Sequence, residues 1–127
     1  MKMDAEQILK KAELINRQLD LLEKRIKSFN SISDSLKPEQ AEGLSELKSE
    51  VERLIIEYSS FLKAAFNIIA SLDNPVYSNL LFLKYHEGRS FSEIAKILNY
   101  SYRQILRIHK NAVLDFRQKY ESKYHVK

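Results

Sequence analysis

The feature that most constrains the fold of this sequence is the recurrence of apolar residues, at alternating spacings of three and four positions, along two long stretches. The first series is Ile8, Ala12, Ile15, Leu19, Leu22, Ile26 and Phe29, and the second is Leu44, Leu47, Val51, Leu54, Tyr58, Phe61, Ala65, Ile68 and Leu72. This heptad spacing puts every member of a series on one side of an α-helix. The pattern predicts two long helices of roughly 40 Å each.

The segment between the two series, NSISDSLKPEQAEG at residues 30–43, has the Ser, Asn, Asp, Pro and Gly content of a loop. We therefore predict a linker there, and a long, coiled-coil-like helical hairpin over residues 1–72. Ile55, Leu62 and Ile69 add a second, adjacent apolar stripe to the later helix. The apolar face of that helix is therefore wider than a two-helix seam needs. Packing on the C-terminal domain and assembly into a homodimer or higher homo-oligomer both explain that stripe.

The composition favours an all-α protein. The 127 residues include only two Gly, two Pro and no Cys, which argues against a turn-rich β fold and against disulfides or thiolate metal sites. No run approaches the roughly 20 apolar residues that span a membrane, and the first residues do not resemble a signal peptide. We expect a cytoplasmic protein without membrane contact.

Positive charge is concentrated at the C-terminal end. From residue 84 onward there are ten basic and four acidic residues, a net charge of +6, whereas the first 83 residues have eleven basic and thirteen acidic residues, a net charge of −2. This asymmetry predicts a polyanion-binding surface in the last third of the chain. An ordinary Lys-rich helix surface is the alternative.

The same region contains the pattern of a helix-turn-helix, SFSEIAKILNYSYRQILRIHKNAV at residues 90–113. Asn99 lies between the two helices and tolerates the left-handed backbone that a tight turn needs. Both helix starts have the spacing of a capping box, at Ser90 with Glu93 and at Ser101 with Gln104. A preceding helix from about Pro75 to a stop at Gly88 would complete a three-helix DNA-binding domain over residues 73–127.

The last helix, expected at about 102–120, has a predicted buried stripe of Ile105, Ile108, Ala112 and Phe116. The opposite side would face the major groove. An Arg there can donate two hydrogen bonds to guanine or can clamp a phosphate, a Gln can pair with adenine, and a Leu can contact a thymine methyl or pack on a neighbouring helix. Helix N-termini and Lys residues suit the DNA backbone. The predicted DNA-binding residues are Arg89, Lys96, Ser101, Tyr102, Arg103, Gln104, Leu106, Arg107 and Lys110.

Residues 72–114 resemble region 4 of bacterial sigma factors. The similarity lies in a leucine-rich helix followed by Tyr85, Gly88, Ser90, Glu93, Ile94 and Ala95. A fuller match includes Tyr100-Ser101-Tyr102-Arg103 and Arg107-x-His109 after the long helical N-terminus. In this the chain resembles small phage-encoded ArpU-type late transcription regulators of Gram-positive bacteria. The resemblance implies a transcriptional regulator of phage or prophage genes that binds double-stranded DNA and has RNA polymerase as a candidate partner. Nothing resembles the segment that reads the −10 element, so a complete sigma factor is not expected.

Two other functions fit the sequence less well. Small terminase subunits of phages also join a helix-turn-helix to helical oligomerisation segments, and a sigma-like module could bind RNA polymerase with DNA contact secondary. An enzyme is the weakest class, because His86, His109 and His125 lack metal-ligand spacing and no Gly-rich phosphate loop is present. We expect neither a cofactor nor a metal.

Overall fold

The computed structural model describes residues 4–124, so the predicted domain ends at 1–3 and 125–127 lie outside the described residues. The described chain is all-α. It contains five α-helices, which are α1 (Ala5–Ile32), α2 (Pro38–Ala70), α3 (Pro75–Tyr85), α4 (Phe91–Leu98) and α5 (Tyr102–Tyr124), and a 3₁₀ turn at Ser33–Ser35. No helix among residues 4–124 is both long and apolar enough to cross a membrane.

The linker is shorter than predicted, because helix occupies most of residues 30–43. The hydroxyl groups of Ser31 and Ser35 donate to the carbonyl oxygens three residues earlier, at 3.3 and 2.9 Å, and so hold the chain in a helical or 3₁₀ conformation. Pro38 is the first residue of α2, where its missing N–H removes no helical hydrogen bond. The boundaries predicted at 30 and 43 were therefore wrong, and the break between α1 and α2 spans residues 33–37.

The chain divides into two compact units whose limits fall within α1 and α2. The first unit, called here the C-terminal unit, combines the residues up to Glu13 with those from Lys63 onward. The second, called here the hairpin unit, is Leu14–Leu62. This division differs from the boundary at residue 72 expected from the sequence, since both ends of the long-helix region belong with α3, α4 and α5.

In the hairpin unit the two helical segments run antiparallel. Lys48 Nζ donates a hydrogen bond to Asn30 Oδ1 at 2.6 Å, and Ile26 faces Ile55 across a shared groove. Most seam residues here are only half-buried. Leu47, predicted to lie in the seam, is 56% exposed and does not belong to it.

The C-terminal unit contains most of the buried residues. Asn74 accepts a hydrogen bond from Val76 N at 2.9 Å and caps α3, while the Ser78 hydroxyl donates to Ile69 O at 3.0 Å and ties α3 to the end of α2. The buried residues are Ala5, Ile8, Leu9, Ala12, Ala65, Ile68, Ile69, Leu72, Leu80, Leu81, Tyr85, Ile94, Ala95, Ile105, Ala112 and Phe116.

Candidate nucleic-acid interface

The connection between α4 and α5 consists of three residues, Asn99, Tyr100 and Ser101. Asn99 has φ 63° and ψ 47°, which is the left-handed conformation predicted for it. Tyr100 N then donates back to Ala95 O at 2.9 Å and closes the C-terminus of α4. The turn therefore fixes the direction in which α5 leaves α4.

Both predicted capping boxes are present. Ser90 Oγ accepts from Glu93 N and Glu93 Oε1 accepts from Ser90 N, each at 3.1 Å. Hydrogen bonds from Ser90, and then from Arg89, lower the pKa of the Glu93 carboxyl below its ordinary value. At the start of α5 the Ser101 and Gln104 pair makes the same two bonds, at 3.1 and 2.9 Å. Both helices thus begin where the sequence predicted.

One side of α5 is buried, as the sequence predicted. Ile105, Ala112 and Phe116 are completely buried, and Ile108 is half-buried. The opposite side is open to solvent, where Tyr102 is 51% exposed. Leu106 is 41% exposed, which rules out its predicted alternative role in the core of the described residues.

The exposed side of α5 has an unbalanced positive charge. Arg103, Arg107 and Lys110 are exposed and form no ion pair among the described residues, and residues 101–114 contain no Asp or Glu. Lys96 on α4 is also exposed and forms no ion pair in the part of the chain that the structure describes. Farther along α5 the pattern changes, because Arg117 pairs with Glu121 at 3.3 Å and Lys119 lies 3.8 Å from Asp73. Free cations are therefore concentrated in the first half of the helix.

Two predicted DNA contacts have other partners in the structure. Arg89 forms ion pairs with Glu87 at 3.6 Å and Glu93 at 3.3 Å, so a phosphate would compete with two carboxylates for it. Gln104 uses its Oε1 atom to accept from Ser101 N, and a two-bond contact with adenine would need that same acceptor. Ser101 likewise uses its hydroxyl oxygen in the cap, but its O–H remains able to donate to a phosphate.

A part-buried polar pair that the sequence did not predict connects α3 to α5. The Tyr85 hydroxyl lies 2.7 Å from His109 Nε2, and the Phe91 ring meets the His109 ring edge-on at 4.9 Å between centroids. Burial raises the pKa of Tyr85 and lowers that of His109, with Glu6 and Glu13 contributing to the rise at Tyr85. The two residues are 24 positions apart, so no local pattern could have indicated the contact. The His109 ring is thus packed against Tyr85 and Phe91.

Residues 4–124 contain no group of three or more His, Cys, Asp or Glu side chains placed to hold a metal ion. Comparison with known proteins adds no assignment: no family model, curated protein or solved structure matches the chain. The exposed, positively charged side of α5 is therefore the feature that bears most directly on function.

Proposed function

We propose that the chain binds double-stranded DNA, with α4 and α5 acting as a helix-turn-helix and the first half of α5 lying in the major groove. The observation that carries this proposal is the set of exposed cations Arg103, Arg107 and Lys110, none of which has a carboxylate partner among residues 4–124. An unpaired guanidinium keeps all its donors available for phosphate oxygens or base edges. Neutralising a polyanion with such groups supplies most of the affinity of a DNA-binding protein.

The neighbouring exposed residues suit the contents of a groove. Arg103 and Arg107 are one helical turn apart, about 6 Å along the axis, which brings both to the same side. Leu106 lies next to them and is 41% exposed, as expected for a side chain that contacts a thymine methyl. At the N-terminus of α5, the O–H groups of Ser101 and Tyr102 would donate to a phosphate.

We further propose that DNA binding serves transcription regulation of phage or prophage genes. This part rests on the resemblance of residues 72–114 to sigma region 4, which also makes RNA polymerase a candidate partner. The experiment is selection of bound sites from random duplex DNA at about 0.1 M salt, since affinity depends steeply on ionic strength. We expect one enriched sequence. Recovery of none would contradict sequence-specific regulation and favour packaging of phage DNA or a polymerase-binding role.

Substitution of single arginines tests the assignment of α5. If Arg103 reads a base, Arg103→Ala should weaken binding to the selected site by about 1–3 kcal/mol and affect other sequences less. If Arg103 contacts a phosphate, the substitution should weaken binding to all sequences equally. Arg117→Ala is the matched control, because Arg117 is exposed on the same helix but paired with Glu121. Fluorescence anisotropy on the selected and a scrambled duplex separates these cases. Equal effects of Arg103→Ala and Arg117→Ala would contradict the proposed binding surface.

A further inference from the structure

The hairpin unit has an open apolar groove on one side. Ile26 of α1 and Ile55 and Ile56 of α2 line a space of about 350 Å³, and Ile56 is 68% exposed. The exposed Ile56 side chain therefore projects from the same side of the hairpin unit that contains the groove. Such a surface can be complementary to itself.

The hairpin unit buries few of its own apolar residues. Among residues 14–62 only Ile15, Val51 and Leu62 are buried side chains of the core. Apart from the exposed Leu47, the remaining apolar residues of the two predicted stripes are half-buried, namely Leu19, Leu22, Ile26, Phe29, Leu44, Leu54, Ile55, Tyr58 and Phe61. Two helices alone cannot enclose a seam, whereas four helices can.

The charges around the groove favour a second copy of the chain as its occupant. Lys27 on α1 and Glu52 on α2 line the groove from its two helices, and Glu23 lies beside Lys27 on the α1 side. Neither Lys27 nor Glu52 forms an ion pair among the described residues. The two arms also differ in net charge: residues 14–32 carry +2 and residues 38–62 carry −4. Placing α1 of one copy beside α2 of another would therefore bring together arms of opposite net charge.

We infer that two copies of the chain associate through this groove, hairpin against hairpin. In a two-fold arrangement Ile56 of each copy would enter the groove of the other, and Lys27 would lie opposite Glu52 of the partner subunit. Both ion pairs would then form at the edge of an apolar centre, which is the usual organisation of a protein interface. This inference does not rest on DNA binding, so it can fail or succeed independently of the proposed function.

Sedimentation velocity of the full chain, from about 1 to about 100 µM, is the primary test. We expect a mass of twice 14.9 kDa at the upper concentrations. Ile56→Lys should raise the dimer dissociation constant roughly tenfold or more, because it places a charge in the apolar centre. Leu21→Lys is the matched control: Leu21 is 63% exposed on the same hairpin but lines a different groove, so its effect should stay within about twofold.

Circular dichroism of both variants verifies that the helices remain folded. A wild-type chain that stays monomeric at the highest concentration would overturn the inference, and so would equal effects of Ile56→Lys and Leu21→Lys.

A charge exchange tests the orientation of the two copies. Lys27→Glu and Glu52→Lys should each weaken dimerisation, because each places like charges at both edges of the interface. Combining them in one chain restores opposite charges across the two-fold axis, and we expect the dissociation constant to return close to the wild-type value. Failure of the double variant to recover would overturn the predicted apposition of Lys27 and Glu52.

Discussion

The residues at the start of α1 should stabilise the α3–α5 helices although they lie far from them in the sequence. Leu9 is completely buried in the C-terminal unit, whereas Leu14, five residues later on the same helix, is 50% exposed. Replacing a buried Leu with Ala removes transfer free energy and leaves a cavity, at a combined cost of about 2–5 kcal/mol. That loss is a large share of the roughly 5–15 kcal/mol that stabilises a typical domain, and it corresponds to a fall in Tm on the order of 10 °C.

Thermal unfolding and amide hydrogen exchange of Leu9→Ala and Leu14→Ala test this prediction. We expect Leu9→Ala to lower the Tm and to reduce protection of the α5 amides around Ile105 and Ala112. Leu14→Ala should cost less than about 1 kcal/mol, because half of its side chain already contacts solvent. Unchanged α5 protection in Leu9→Ala, or equal effects of the two substitutions, would refute the assignment of the start of α1 to the C-terminal unit.

Two further substitutions test the interior and the turn. His109 has a lowered pKa because of burial, so the folded state binds fewer protons than the unfolded state below the ordinary pKa of about 6.5, and stability should fall as the pH drops from there towards 5. The change of unfolding free energy with pH cannot exceed about 1.4 kcal/mol per pH unit, and the partial exposure of the His109 ring reduces it further. Urea unfolding of His109→Gln at several pH values should show no such change. An unchanged pH dependence in this variant would refute its origin in His109. At the turn, Asn99→Ala should destabilise by about 1 kcal/mol and Asn99→Gly by less than about 0.5 kcal/mol, because only glycine adopts φ 63° without strain. Equal urea midpoints for the two Asn99 variants would contradict that explanation.

Local patterns in the sequence were sufficient to predict most of the candidate site. The caps at Ser90 and Ser101 and the left-handed Asn99 depend on residues within a few positions of each other. The buried stripe of α5 depends only on helical periodicity. For this reason the exposed positions of Arg103 and Arg107 were also predicted correctly.

Features that depend on distant residues were not predictable in the same way. The units divide at residues 13 and 62 because Leu9, Ile68 and Leu80 share a unit although they are widely separated in the sequence. The Tyr85–His109 contact is of the same kind. The predicted bounds of the linker were wrong for a different reason. Ser31 and Ser35 donate to backbone carbonyl groups three residues earlier, so residues that are typical of loops also occur at the end of α1 and in the 3₁₀ turn that follows it.

The two capping boxes have the same geometry but differ in charge. At α4 the second member of the capping box is Glu93, an anion that offsets the partial positive charge of the helix N-terminus. At α5 the equivalent residue is Gln104, which is neutral. An anion that approaches α4 is repelled by a carboxylate, whereas one that approaches α5 meets only an amide and the positive end of a 23-residue helix. The choice between an acid and an amide of equal length thus leaves one of two otherwise similar helix starts attractive to phosphate.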